Sequence, residues 1–390
     1  MGARRDIGAR ERRHRMAARQ RLTAGGRSER PEEATESLVA LHGTDPATVY
    51  LSAAARMRVP DPAAIDHALY EERSLIRLLA MRRTMFVVTA AARPVVHEAA
   101  AHAIAAAERR KLLTFLAEGG GWDERWLAEV EGAVLTALAG GTEATAAELA
   151  ERVPRLREQV VVARGKPYEA TQNVSSRVLR VLAAEGRIVR RRPLGGWTSS
   201  QYRWAAGAVP PRTPAGEARA ELARRWLAAY GPGTEADLKW WTGWTLTEVR
   251  AALKAIGAEP VGLAEGTGYV LPQDTGPEPD PGPWAALLPA LDPTPMGWRG
   301  RDWYLPEDPA DRAALFDRSG NIGPTVWWNG RVVGGWAQRA DGTVVHRLFT
   351  DPGREAAAAV GEEAARLSGW LGGTRVTPRF RTPLERELSA

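Results

Sequence analysis

The turn Leu41-His42-Gly43-Thr44-Asp45-Pro46 is the one constellation in this 390-residue chain whose residue types and spacing suit catalysis. It brings an imidazole, a hydroxyl and a carboxylate within four positions. A neutral imidazole orients a water or takes its proton. A hydroxyl hydrogen-bonds the same water, and a carboxylate supplies negative potential where positive charge develops. A tight turn beside a helix N-terminus can aim the His42 and Thr44 side chains into one cleft. Structural roles compete for the same residues. Asp45 before Pro46 fits an N-cap with proline at N1. A histidine in the last turn of a helix complements its dipole. On that reading a helix over 34–42 ends at His42, Gly43 takes the left-handed C′ position, and the next helix starts at Pro46.

Other chemistries are excluded by what the sequence lacks. There are no cysteines, which removes disulfides, thiolate metal sites and cysteine nucleophiles together. The six histidines (14, 42, 67, 97, 102 and 346) show no H-E-x-x-H spacing, and neither a phosphate-binding G-x-x-x-x-G-K-[ST] nor a G-x-S-x-G is present. No cofactor is expected. No apolar run approaches the ~18 residues of a membrane span, and the N-terminus lacks the apolar region of a secretory signal. A membrane partner is therefore not expected, and the expected location is the cytoplasm.

The net charge of +6 is unevenly placed. Residues 1–30 hold ten Arg against Asp6, Glu11 and Glu29, so the other 360 residues sum to about −1. Residues 1–15 read as a disordered, non-specifically basic tail, with Met16 as an alternative start. A second concentration, nine Arg or Lys against Glu169 and Glu185 over 164–204, is large enough to neutralise phosphates. Arg187, Arg190, Arg191 and Arg192 form its core and are the expected phosphate contacts. The alternative is a solvated charged face.

The elements that must position these residues repeat. Gly141-Thr142-Glu143-Ala144 and Gly233-Thr234-Glu235-Ala236 each follow an amphipathic helical segment and precede another. Each unit then reaches a further helix ending at a glycine (Gly186, Gly257) and a turn-bearing β segment. The intervals differ, which an insertion of roughly 151–170 in the first copy explains. In that copy a helix covers 123–139, a Thr145–Glu148 capping box opens a short helix, and a third helix covers 171–185. That third helix offers Gln172, Asn173, Ser176, Arg177 and Arg180 on its polar face. Strands over 187–192 and 197–204 flank Pro193-Leu194-Gly195-Gly196, completing a helix-turn-helix with a β-hairpin wing. The second copy, 217–271, has an acidic wing. A diverged copy fits 34–90, with helices over 34–42, 46–58 and 62–80 and a β run at 84–88. A long Ala-rich helix over 91–117 bridges to the next unit.

After the Pro-, Gly- and acid-rich stretch 276–283 the pattern becomes a β-meander. It has an Asn329-Gly330 turn, a helix over 354–371 and a strand around 374–381. Thirteen of the fifteen Trp lie at or after residue 197, where they are expected to fill small cores. The expected class is α+β: three tandem winged helix-turn-helix units followed by a C-terminal β-barrel-like domain. The expected divisions are 1–15 (tail), 16–118, 119–208, 209–275 and 284–390.

Four segments carry a family resemblance. Leu38-Val39-Ala40-Leu41-His42-Gly43-Thr44-Asp45-Pro46 resembles the Leu-Gln-Ala-Gln-x-Pro region of the AlkZ/YcaQ-type DNA glycosylases, filed as winged helix DNA-binding domain-containing proteins. Met81-Arg82-Arg83-Thr84-Met85-Phe86-Val87-Val88 resembles their Met-Arg-Gly-Thr-Leu-His-Leu-Val segment. Residues 289–301, from Pro289-Ala290-Leu291-Asp292-Pro293 to Trp298-Arg299-Gly300-Arg301, resemble Pro-Phe-Asp-x-x-x-Trp-Asp-Arg-Arg. Thr377-Pro378-Arg379-Phe380 also fits. The likeness runs from about residue 16 to the C-terminus. Each motif is short, and their order and spacing carry the specificity. The resemblance implies three winged helices, a C-terminal barrel, and hydrolysis of the N-glycosidic bond of damaged purines. The family's water-positioning Gln-x-Gln or Gln-x-Asp pair falls on His42 and Thr44, a departure from the pattern.

The expected function is thus a monofunctional, monomeric glycosylase acting on alkylated or crosslinked purines in double-stranded DNA, with His42, Thr44 and Asp45 catalytic. Arg177, Arg180, Arg187, Arg190, Arg191, Arg192, Arg299 and Arg301 are the expected DNA contacts. An arginine near Asp292 is alternatively its ion-pair partner. The competing function is a non-catalytic winged-helix DNA-binding protein or transcriptional regulator. A glycosylase requires His42, Thr44 and the basic wing around one positively lined channel; a regulator requires an exposed third helix and a symmetric dimer face, with His42 buried or irrelevant.

Overall fold

The computed structural model describes residues 5–162, 165–167 and 169–390. Its first helix, α1 (Ala9–Arg19), lies in the segment expected to be a disordered tail. Ile7 is buried against Val261 and Val270, and Arg15 reaches Asp274 at 2.8 Å. Arg5, Arg12 and Arg19 likewise pair with Glu11, Glu265 and Asp274. Part of the basic N-terminal charge is thereby spent on Glu11 within the segment and part on Glu265 and Asp274 downstream.

The first winged unit comprises α2 (Pro31–Glu36), β1 (Leu41–His42), α3 (Pro46–Ala54), α4 (Pro62–Asp66), β2 (Leu75–Ala80) and β3 (Thr84–Thr89). The three strands form an antiparallel sheet in the order β1-β3-β2. Two helical expectations are corrected here. The helix expected over 34–42 stops at Glu36, and His42 is a strand residue paired with Phe86. The helix expected over 62–80 gives way to a strand, Leu-Ile-Arg-Leu-Leu-Ala, whose apolar run suits a half-buried strand as well as a helix. The left-handed residue in this turn is Val39, at φ 63°, not Gly43. Asp45 does cap α3: its Oδ1 accepts from the Ala47 N–H at 3.1 Å.

The bridge is α5 (Arg93–Val96), a π turn over His97–Ala101, and α6 (His102–Gly120). Leu112, Phe115 and Leu116 on α6 join the core of the second winged unit. That unit runs α7 (Glu124–Ala137), α8 (Ala146–Arg152), β4 (Gln159–Val162), β5 (Ala170–Asn173), α9 (Ser175–Ala184), β6 (Ile188–Pro193) and β7 (Tyr202–Ala206). The Thr145–Glu148 capping box is formed. The expected insertion includes the β4–β5 hairpin, so the third helix begins at Ser175 rather than 171, and Gln172 and Asn173 lie on a strand. Arg164, counted in the basic stretch 164–204, lies outside the described residues.

The third winged unit follows: α10 (Ala215–Tyr230), β8 (Gly233–Thr234), α11 (Glu235–Thr242), α12 (Leu246–Ala255), β9 (Glu259–Leu263) and β10 (Gly266–Val270). Gly186 (φ 77°) and Gly257 (φ 63°) end α9 and α12 in the left-handed conformation, which needs no Cβ. The repeated tetrapeptides are not structural equivalents. Ala144 bridges to the wing strand at Trp204 as Gly233 bridges to Tyr269, and Thr145 caps its helix as Thr234 does. The repeat is real but offset by three residues.

The C-terminal region corrects the barrel. The strands β11 (Ala285–Leu288), β12 (Thr325–Trp328), β13 (Arg331–Gln338) and β14 (Val344–Leu348) form an open antiparallel sheet in that order, with α13 (Pro309–Ala314) in the connection between β11 and β12. Among the described residues no sheet closes on itself. The strand expected around 374–381 is irregular. It meets the sheet through a side chain, with Gln338 Oε1 accepting from the Val376 N–H at 2.9 Å. Pro378 deprives that stretch of a ladder donor. The helices α14 (Arg354–Leu371) and α15 (Pro383–Ser389) cover the sheet instead. Trp226, Trp298 and Trp327 are fully buried, and with Tyr230, Trp303 and Tyr304 they weld the third unit to this sheet. Among the described residues no helix is long and apolar enough to cross a membrane.

Candidate active site

The strand pairing that ends β1 builds the turn. The Gly43 N–H donates to the Met85 carbonyl at 2.8 Å, which fixes the chain just before Thr44. The Thr44 N–H points back to His42 Nδ1 at 3.4 Å. Since Nδ1 accepts, the neutral ring carries its proton on Nε2. His42 is 6% exposed and meets Phe86 edge-on, with ring centroids 5.6 Å apart. Asp45 spends its second oxygen on the Arg379 N–H at 2.9 Å. The third and fourth of the family-like segments thus differ in placement: Arg379 is drawn to the turn, whereas Asp292 lies in the interior with Arg56.

Thr44 opens onto a cleft of about 750 Å³ and an adjoining hollow of about 310 Å³. Arg77, Arg190, Tyr202 and Arg379 line both, while Arg83, Glu108 and Arg180 line the larger. The cleft lies between the β2–β3 hairpin, α6, α9 and the second unit's wing. The floor is apolar, with Leu78, Leu79, Met85 and Leu179. His42 lines neither hollow; it stands behind Thr44. Burial, reinforced by Arg82, pushes its pKa down to about 4.

This gives a first prediction. The unfolded chain protonates His42 near its ordinary 6.5, while the native state refuses the proton until about 4. Between those values the unfolded state binds more protons, so stability is full above pH 6.5 and falls as pH drops toward 4. His97, also pushed to about 4 by burial and then by Arg93, adds to the slope. Urea unfolding midpoints should fall across that window, and His42→Phe should flatten part of the fall. An unchanged slope in the variant refutes the assignment.

The wing arginines do not act as a set. Side chains alternate along a strand, so consecutive arginines face opposite ways. Arg187 pairs with Glu131 at 2.7 Å and Arg191 with Glu143 at 2.6 Å. Arg192 is held by Asp66 and by Glu71. At the wing tip, Trp197 lies 5.0 Å from Tyr50 and 5.5 Å from Trp370, which pins the wing over the cleft. Arg190 alone of the four faces the larger cleft, stacked on Tyr202 at 4.2 Å. Burial, with Arg77, Arg180 and Arg379 near it, lowers its pKa. Among the described residues none of these four arginines has a carboxylate partner.

The remaining expected contacts are dispersed. Arg177 lies over the Phe115 ring at 4.0 Å. Arg301 flanks Trp240 at 5.1 Å, with Arg82 at 4.0 Å from the same ring, and Arg299 is exposed beside them. Neither pairs with Asp292, whose partner is Arg56. The residues not anticipated are Arg77, Arg83, Glu108, Tyr202 and Arg379. Arg379 sat within a quoted motif, whereas Arg77 was concealed by reading β2 as helix.

The family pattern described as DNA glycosylase AlkZ-like matches residues 35–370. The chain belongs to that family. As an AlkZ-like protein it is a winged-helix, DNA-binding protein of the glycosylase type. Among solved structures it is similar to the Streptomyces sahachiroi DNA glycosylase AlkZ, with a TM-score of 0.70 over 93% of this chain and 97% of that one. The two are 21% identical, so this likeness speaks to the shared fold. No curated protein matches the chain.

Proposed function

We propose that this AlkZ-like chain is a monofunctional glycosylase that hydrolyses the N-glycosidic bond of alkylated or crosslinked purines in double-stranded DNA, with His42-x-Thr44 standing where the family carries Gln-x-Gln or Gln-x-Asp. The observation that carries the reading is Thr44 at the junction of two hollows that share Arg77, Arg190 and Arg379, three arginines without a carboxylate partner among the described residues. An N7- or N3-alkylated purine is already cationic and leaves the sugar as a neutral base. The protein then has to hold the DNA backbone and place one water at the sugar carbon. Thr44 Oγ1 is the water-holding group. His42 and Asp45 are positioning residues: one steers the Thr44 backbone, the other anchors Arg379. The proposed assembly is a monomer, and the proposed compartment is the cytoplasm. The inward-facing α9, with Ser176, Leu179, Arg180 and Ala183 on the cleft, favours this reading over a regulator with a free recognition helix.

The test is release of 7-methylguanine from duplex DNA. Thr44→Val keeps the shape and removes the hydroxyl, so release should fall roughly tenfold, the equivalent of one hydrogen bond. DNA affinity should hold. Tight DNA binding by wild type without release from any alkylated duplex would favour the non-catalytic reading.

A further inference from the structure

Hydrolysis at an oxocarbenium-like carbon calls for an anionic group near the attacking water. The carboxylate nearest in sequence, Asp45, has both oxygens committed, to Ala47 and to Arg379. His42 stands outside both hollows. Among the described residues lining the two hollows there is one other carboxylate, and it comes from the bridging helix: Glu108.

Glu108 is placed by helical spacing. It lies four residues before Leu112 on α6, so the apolar contacts that seat Leu112, Phe115 and Leu116 turn Glu108 toward the cleft. Its side chain is 10% exposed. Arg83 Nη2 at 2.8 Å and Lys111 Nζ at 3.0 Å both bind Oε1. Oε2 has no partner among the described residues. Arg83 is two residues from Met85, and Met85 holds Gly43, so the carboxylate and Thr44 border the same cavity from the two sides of one strand turn.

We propose that Glu108 is the catalytic carboxylate of this glycosylase, accepting a proton at Oε2 from the water that attacks the sugar. The inference rests on the reading under Proposed function. In the step, the C1′–N bond breaks and its electron pair neutralises the cationic purine. The water oxygen bonds to C1′, and one water proton passes to Glu108. The products are the free base, an abasic sugar bearing a 1′-hydroxyl, and a protonated carboxyl group that returns its proton to solvent. Clamping one oxygen leaves the other oriented, which is the arrangement a fixed base needs. Burial by itself raises the Glu108 pKa, but the bonds from Lys111 and Arg83 outweigh it and hold the group below its usual 4.5. Arg77, Arg180, Arg190 and Arg379 face the same cavity from β2, α9, the wing and the C-terminal segment. The base is therefore ionised at neutral pH.

The experiment compares wild type, Glu108→Gln and Glu108→Asp in single-turnover release of 7-methylguanine from duplex DNA, with DNA affinity and urea unfolding measured on each. Release should fall roughly 10²–10⁴-fold in Glu108→Gln while affinity and unfolding hold, and Glu108→Asp should recover part of the rate. Release by Glu108→Gln at the wild-type rate overturns the proposal and leaves the glycosylase reading intact. Loss of release only in step with affinity or stability also overturns it, since the residue is then structural. Absence of release by wild type itself overturns the underlying reading, and this proposal with it.

Discussion

Asp292→Ala is expected to cost about 3–5 kcal/mol of stability, because it leaves a fully buried guanidinium without its counter-ion. Arg56 and Asp292 are both 0% exposed. Their contact is two-pronged, Nη1 to Oδ2 at 2.9 Å and Nη2 to Oδ1 at 2.8 Å. Arg56 also donates to the Ser52 carbonyl and to Thr294 Oγ1, and Thr294 in turn donates to Gln20. Gln20 then reaches the Ala229 carbonyl. One network thus joins α1, α3, α10 and the connection between β11 and β12. Replacing both charges, as in Arg56→Met with Asp292→Leu, should recover much of the loss, since a packed apolar pair has no desolvation cost to offset. Urea unfolding at pH 7 of the two single variants and the double variant measures the coupling. A loss under about 1 kcal/mol for Asp292→Ala would mean that water reaches Arg56 and the network is not the tie described here.

The same residue illustrates how much was legible in the sequence. Asp292 was recognisable as part of a family-like segment, and the alternative to DNA contact for Arg299 and Arg301 was that one of them pairs with it. The actual partner is 236 positions away. Pairing over that distance is a property of the tertiary fold, and nothing in local spacing encodes it. Where local chemistry decides, the reading succeeded: Thr145–Glu148 forms a capping box, and Asp45-Pro46 starts a helix. It failed where a short apolar run fits two periods. Residues 75–80 became β2 because β3 was available to pair with them, and His42 became a strand residue for the same reason. The barrel failed similarly, since the Pro-containing stretch around 374–381 was expected to add a strand. In the site, Thr44 was reachable from the motif alone. Glu108 and Arg77 were not, because each owes its place to helix and sheet packing between units.

Arg190→Met should weaken binding to duplex DNA roughly ten- to a hundredfold, and yet leave the free protein no less stable. Arg190 is largely buried, its Nε has no partner, and one amino group of Arg77 is likewise unpaired. Arg77, Arg180 and Arg379 are the neighbouring charges, and none of the four has a carboxylate partner among the described residues. A buried guanidinium in like-charged company costs the free protein energy, which an apolar side chain of similar length removes. Bound phosphate offsets that cost through charge-assisted hydrogen bonds of about 1.5–3 kcal/mol, which is the affinity the substitution gives up. The number of counterions released on binding should fall by about one, lowering the slope of log affinity against log salt by roughly 0.9. Arg192→Met is the control. Its guanidinium is already held by Asp66 and Glu71, so removing it should change affinity less than Arg190→Met does. Fluorescence anisotropy across a salt series, beside urea unfolding of the free proteins, reads both quantities. Equal losses at Arg190 and Arg192 would show that the wing binds as an undivided basic run and that the cleft arginines have no special part in holding DNA.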